Sequence, residues 1–201
     1  MDLVARKSPF RCINTAVEAT MLRQRSCGSL LEQDRFLRDN LGEDDIVVVS
    51  VGGNDIALAP APCTMLHMLV GICCTSTAAI RHAFGKPAPC DDCCCGCGPG
   101  CLSTLSACPP SGGYFLHMFH TKLQAYVRAL TQKTRPSKVL VCMIYYPDIH
   151  ADGSWADGTL KVLNYNSNPS KLQLLIAKMF EKAVSKITVP GSQVHSVQTR
   201  V

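Results

Sequence analysis

The apolar run Ile46-Val47-Val48-Val49, followed at once by Ser50-Val51-Gly52-Gly53-Asn54-Asp55, constrains the fold more than any other stretch of this chain. Successive β-branched side chains are stiff at χ1 and suit a strand. An uninterrupted apolar strand is the pattern of a parallel strand covered on both faces. The glycine pair then ends the strand. Gly52 and Gly53 can take backbone conformations closed to other residues, so the chain turns sharply and presents Asn54 at the carboxyl edge of the sheet. In open α/β folds that edge is where ligands bind. An amide N–H fixed there is a natural donor to a developing oxyanion.

The remaining pattern alternates strands and helices, which predicts a parallel α/β sheet. A weak strand is expected at Phe10 to Asn14. Ala16 to Asp39 reads as a helix that Gly28 interrupts, with Val17, Met21, Leu22, Leu30, Leu31, Phe36 and Leu37 at helical spacing. An apolar helix is expected over Thr64 to Phe84 and another over Tyr114 to Thr131, stopped by Pro136. Lys138 to Tyr146 reads as a second strong strand and Pro147 to Asn168 as a polar loop. Pro169 opens a last helix to about Lys186, whose inner face is Leu172, Leu175, Ile176, Met179, Phe180 and Val184. Val194 to Val197 is a candidate closing strand.

Composition narrows the function classes. With 201 residues, 47% hydrophobic and 17% charged, the chain can bury one sizeable core. Its net charge of +5 is spread along the sequence without a dense Lys/Arg block or interleaved aromatics, which argues against nucleic-acid binding. The stretch Thr64 to Ile80 carries His67, Ser76 and several threonines before charge arrives at Arg81, so a buried helix is expected there rather than a membrane span. Met1 to Arg11 lacks the apolar core of a secretory signal. Together with 13 cysteines, this predicts an intracellular, cytoplasmic and mostly reduced protein.

Three stretches resemble the GDSL/SGNH hydrolases, esterases and lipases with a flavodoxin-like three-layer α/β/α sheet. Gly52-Gly53-Asn54-Asp55 after a strand is similar to the family's third block, Gly-x-Asn-Asp, whose Asn side chain donates to the oxyanion. Asn14-Thr15-Ala16-Val17-Glu18-Ala19-Thr20 resembles the second block, Asn-x-Gly-x-x-Gly, with Ala16 and Ala19 at the glycine positions. The backbone N–H of Ala19 would then be the second oxyanion donor, although alanine favours negative φ where glycine is unrestricted. Val139 to Pro147 looks like the next sheet strand with its aromatic-Pro end. The resemblance implies one SGNH-like domain over 1–201 that hydrolyses small-molecule carboxylic esters through an acyl-serine intermediate. It assigns Asn54 and Ala19 as oxyanion donors; the residues themselves give Gly53 the turn geometry, and give Asp55 a role either in orienting the turn or hydrogen-bonding Asn54, or in capping a following turn.

The departures concern the remaining catalytic groups. No Gly-Asp-Ser, which carries the family's nucleophile, occurs in the chain, and no Asp-x-x-His, which carries its base. The nearest imitations are Asp148-Ile149-His150 and the pair Ser192 and His195. A serine nucleophile needs a base within hydrogen-bond reach. The expectation is therefore the middle of an SGNH domain, inactive alone, with the Ile46 strand facing a gap where the family's first strand pairs. The alternative is a non-catalytic, degenerate SGNH scaffold.

That alternative places function in the Cys/Gly/Pro-rich insertion at about 87–110. Cys90/Cys93 and Cys94/Cys97 form two C-x-x-C pairs, a spacing that lets two thiolates grip one tetrahedral zinc. His117 and His120 follow as H-x-x-H. Against a structural zinc site, the pairs overlap and no second pair lies at finger or ribbon distance. A divergent surface insertion is the other reading. Elsewhere, Ser50 reads as a strand-end hydroxyl and His67 as a core histidine. His150, Asp148, Asp152 and Trp155 lie in the loop after the second strand, where substrate contacts collect but solvated turns are commoner.

Overall fold

The computed structural model describes residues 11–82, 111–147, 157–162, 165 and 168–198. Its sheet is parallel, with β1 (Ile46–Ser50), β2 (Lys138–Cys142) and β3 (Gln193–Val197) in that order. Val47 pairs with Val139 and Val139 with Val194, so each strand is in register with the next across the sheet. The helices are α1 (Glu32–Asn40), α2 (Gly53–Ile56), α3 (Pro62–Leu69), α4 (Thr77–His82), α5 (Gly112–Leu116), α6 (Leu123–Leu130), α7 (Asp157–Val162) and α8 (Pro169–Lys182). A 3-10 helix, Leu22–Gly28, precedes α1.

Strand order decides where the core sits. Parallel crossovers are right-handed in nearly all sheets. Two successive crossovers that step in the same direction, β1 to β2 to β3, therefore lay their helices on the same face. The burial agrees: Val47, Val49, Val139 and Val141 are buried against the helical layer, whereas Val48 on the opposite face is 62% exposed and Ile46 44% exposed. This corrects the expectation that β1 is covered on both faces. Its β-branched run reflects strand propensity; its burial alternates with period 2, as in a one-sided sheet. Leu140 and Cys142 share the open face and are half-buried, and burial pushes the Cys142 thiol up from its ordinary range.

The chain punctuates itself where the sequence predicts, with local differences. Residues 11–14 have no regular structure, which corrects the strand expected there, and Phe10 lies outside the described residues. The Gly28 break is real. Before it, however, the chain is a turn and the 3-10 helix rather than an α-helix, and Val17 and Phe36 are each 52% exposed. The apolar helix expected from Thr64 is α3, a π-helical turn Val70–Cys74, a break at Thr75 and then α4. The helix expected from Tyr114 is α5, a second π-helical stretch His117–Lys122, and α6. β2 ends at Cys142 rather than Tyr146. The presumed polar loop holds α7 and the buried Tyr165, whose hydroxyl donates to the Pro147 carbonyl at 2.7 Å. α8 keeps its predicted inner face, with Leu172, Leu175, Ile176 and Met179 buried, and Val184 follows in a short 3-10 turn.

Candidate functional site

The site lies at the carboxyl end of β1. Gly52 adopts φ +103°, a conformation that glycine alone takes at low cost. The neighbouring layer imposes a second restriction. A Cβ on Gly52 would stand 2.9 Å from Cε1 of Phe119, which the π-helical stretch carries beneath the turn. Gly53, in contrast, needs no special backbone conformation: it opens α2, and a Cβ there would meet only Ile144 at 3.7 Å. The turn therefore depends on Gly52 for its special backbone conformation, whereas the sequence reading gave that freedom to both glycines and named Gly53 for the turn geometry.

Asn54 and Asp55 follow on α2, and both reach back to the segment around Ala19. The Asn54 side-chain amide donates from Nδ2 to the Thr20 carbonyl at 3.0 Å. The buried Asp55 carboxylate accepts the N–H of Leu22 at 2.6 Å and that of Arg23 at 3.0 Å. Arg23 in turn donates to the Ala59 carbonyl beyond α2 at 2.6 Å. These bonds fasten the start of the 3-10 helix to the glycine turn across more than 30 residues of sequence. Asp55 is thus a positioning residue. Its carboxylate bonds neither Asn54 nor a following turn; it caps a 3-10 helix that precedes it in the chain and ties that helix to the glycine turn. Orphan N–H groups at a helix start take a carboxylate well.

Ala19 stands next to Thr20 with φ +58°, in the left-handed region. Alanine adopts this conformation only when its surroundings enforce it, at a cost of roughly 1–2 kcal/mol. The preference of alanine for negative φ is overridden here, and position 19 has a glycine-like backbone. Ala19 is exposed and Asn54 half-buried, so both border solvent at the strand end. An amide nitrogen carries two hydrogens. Thr20 uses one of Asn54's and leaves the other available to a ligand.

A buried network holds this segment from behind. The Arg25 guanidinium forks onto Asp34 of α1 at 2.8 and 3.1 Å, and the Tyr126 hydroxyl of α6 donates to the same carboxylate at 2.9 Å. Arg25 also stacks over the Tyr126 ring at 5.1 Å. Burial drives the Tyr126 phenol well above its ordinary range, so it serves as a neutral donor. Asp34 completes the set by accepting the Leu31 N–H at 3.0 Å, as an N3 carboxylate does in a capping box.

Other candidates separate from this site. Ser50 is exposed at the end of β1. His67 is fully buried and stacked on Tyr114 at 4.2 Å, the core role predicted for it. His117 is buried and His120 half-buried in the π-helical stretch, and among the described residues no group of three or more His, Cys, Asp or Glu could hold a metal ion. His195 lies on β3 away from the turn, with its ring 3.3 Å from Gln193. Cys90, Cys93, Cys94 and Cys97 lie outside the described residues, as do Asp148, His150, Asp152 and Trp155. Cys63 is disulfide-bonded, an exception to the mostly reduced chain expected from composition. No described helix is long and apolar enough to cross a membrane.

The sequence singles out Asn54 and Ala19 as candidates but not the partners that hold them. Nothing in the spacing of Thr20, Leu22 and Arg23 announces that their backbone groups meet α2. A carboxylate directly after the glycine turn was the available signal for Asp55, and its direction required the fold. Comparison with family models, with curated proteins and with solved structures found no match.

Proposed function

We propose that this chain carries the oxyanion-binding part of an SGNH-type ester hydrolase. One observation supports the reading above the others. The Asn54 amide lies 3.0 Å from the Thr20 carbonyl, directly beside an alanine held at φ +58°. The second and third blocks that the resemblance proposes, separate in sequence, therefore meet at one strand end, and position 19 has the backbone of the glycine it replaces. In that reading a serine attacks the ester carbonyl. The carbonyl oxygen gains charge and is met by the Asn54 amide and the Ala19 N–H, and a histidine carries the proton to the departing alcohol. One oxyanion donor of this kind is worth about 2.7–4 kcal/mol of barrier.

Neither Gly-Asp-Ser nor Asp-x-x-His is present in the 201 residues, so nucleophile and base are assigned to chain or partner beyond them, and this chain alone is inactive. The edge of β1 that no described strand pairs supports the assignment. Among the described residues β1 pairs only with β2, and a parallel strand added at its other edge would end beside Asn54 and Ala19. Such a strand, with its helix on the open face, would complete the flavodoxin-like three-layer sheet. Intact-mass and peptide mapping of the endogenous protein tests this. A mass well above 21.8 kDa, with peptides bearing Gly-Asp-Ser and Asp-x-x-His, is expected. A mass of 21.8 kDa without them overturns the hydrolase reading.

The missing triad favours a second reading, a non-catalytic scaffold whose Cys90, Cys93, Cys94 and Cys97 hold zinc or a protein partner. Metal analysis of the purified protein separates the two. About one equivalent of zinc, lost when these four cysteines are replaced, supports the scaffold; well under one equivalent removes the zinc site.

A further inference from the structure

The opposite end of the sheet carries a second feature, independent of the ester-hydrolase reading. Arg128, Ala129, Gln132, Arg135 and Pro190 line an open groove of about 340 Å³. Arg128 lies on the last turn of α6, Arg135 just before β2, and Pro190 just before β3. The groove therefore sits at the amino ends of β2 and β3, remote from Asn54.

Both guanidinium groups are fixed, and both are fixed by neutral acceptors. Arg128 donates from Nε to the Thr188 carbonyl and from Nη2 to the Thr188 hydroxyl, each at 3.2 Å. Arg135 donates from Nη1 to the Thr131 carbonyl at 3.0 Å, and its stem packs against Gly191, which turns the chain at φ +81°. A guanidinium has five N–H donors in a rigid fork. After these bonds each arginine keeps donors directed elsewhere. Near the same end of the fold Asp39 takes Arg38 and Lys133 and Asp45 takes the Gly42 N–H, while Glu43 and Asp44 are exposed just before β1 and do not line the groove. Two arginines, each hydrogen-bonded to a neutral acceptor, thus line one concavity whose lining includes no carboxylate.

The carbonyl end of α6 also points toward this region and would oppose an anion. That field is blunted. The Val127 carbonyl accepts both the N–H and the hydroxyl of Thr131, and the Thr131 carbonyl accepts Arg135.

We propose that this groove binds a dianionic oxyanion, the phosphate group of a small phosphate monoester. Two fixed cations match a dianion better than a single carboxylate, and the guanidinium fork matches phosphate oxygens in pairs. The volume suits a small ligand, at the lower end of ordinary ligand pockets. Ala129, Pro190 and the arginine stems supply apolar walls for the organic part, and Gln132 supplies one further polar contact.

The test is isothermal titration of the full 201-residue chain at low ionic strength with inorganic phosphate, phenyl phosphate and acetate. Saturable binding of both phosphates is expected, tighter for phenyl phosphate, at least tenfold weaker for acetate, and weakened by added salt. Arg128→Gln and Arg135→Gln should each weaken phosphate binding about tenfold or more. Arg128→Lys and Arg135→Lys keep the charge and the fold but lose the fork, and should fall between. The lysine variants guard against loss of structure in the glutamine ones. No saturable heat from either phosphate with the wild-type chain would overturn the proposal. So would acetate binding as tightly as phosphate, or phosphate affinity unchanged in all four variants.

Discussion

Replacing Ala19 by glycine should stabilise this protein, and the size of the gain follows from its backbone. At φ +58° an L-residue brings its Cβ close to the following carbonyl oxygen, at a cost of roughly 1–2 kcal/mol. Glycine removes that cost, but it enlarges the conformational freedom of the unfolded chain, which takes back about 0.4–1 kcal/mol. The difference is a net gain of about 0–1.6 kcal/mol, centred near 0.8 kcal/mol. Ala19 is exposed, so removing its methyl group gives up little buried surface. In a chain of this size 1 kcal/mol moves Tm by about 2–4 °C. Thermal unfolding followed by circular dichroism should therefore place Ala19→Gly about 1–4 °C above the wild type. The neighbouring Glu18 is exposed and has no positive φ, so Glu18→Gly supplies the control and should lower Tm. If both substitutions lower Tm equally, position 19 does not hold a glycine-like backbone, and its likeness to an oxyanion-block glycine fails with it.

Three further substitutions examine the supports of the site. Gly52→Ala combines a positive φ with a 2.9 Å contact on Phe119 and should cost about 3 kcal/mol in urea unfolding, whereas Gly53→Ala should stay within about 1 kcal/mol. Asp55→Asn exchanges a charged acceptor of two backbone N–H groups for a neutral one. It should cost about 2–3 kcal/mol and speed hydrogen exchange at the Leu22 and Arg23 amides above that of the α6 core. Arg25→Met leaves Asp34 buried with only the Tyr126 hydroxyl and the Leu31 N–H for company, and should cost about 3–5 kcal/mol in the same unfolding assay.

The sequence announces its strands and its turn because those signals are local. The β-branched run marks β1, and the glycine pair marks its end. Gly28 divides the first helical region because a glycine lowers helix stability in any context. Non-local effects were not legible. Whether Val48 is covered depends on strand order and crossover direction, which no single strand encodes. Ala19 reads as an ordinary alanine because the bonds that hold its segment in place come from Asn54, Asp55 and the Ala59 carbonyl, all distant in sequence. The π-helical stretches at Val70–Cys74 and His117–Lys122 look like continuous helix because the apolar spacing barely changes across them. The Arg25, Asp34 and Tyr126 network joins three elements by side chains whose types, taken singly, indicate solvated surface.

Hydrolysis of p-nitrophenyl butyrate by the 201-residue chain, beside Asn54→Ala, tests the division of labour most directly. A strand end that supplies oxyanion donors without a nucleophile or base should leave both proteins at the rate of buffer. Turnover by the wild-type chain that disappears in Asn54→Ala would contradict the account, because it would place a working nucleophile within these 201 residues.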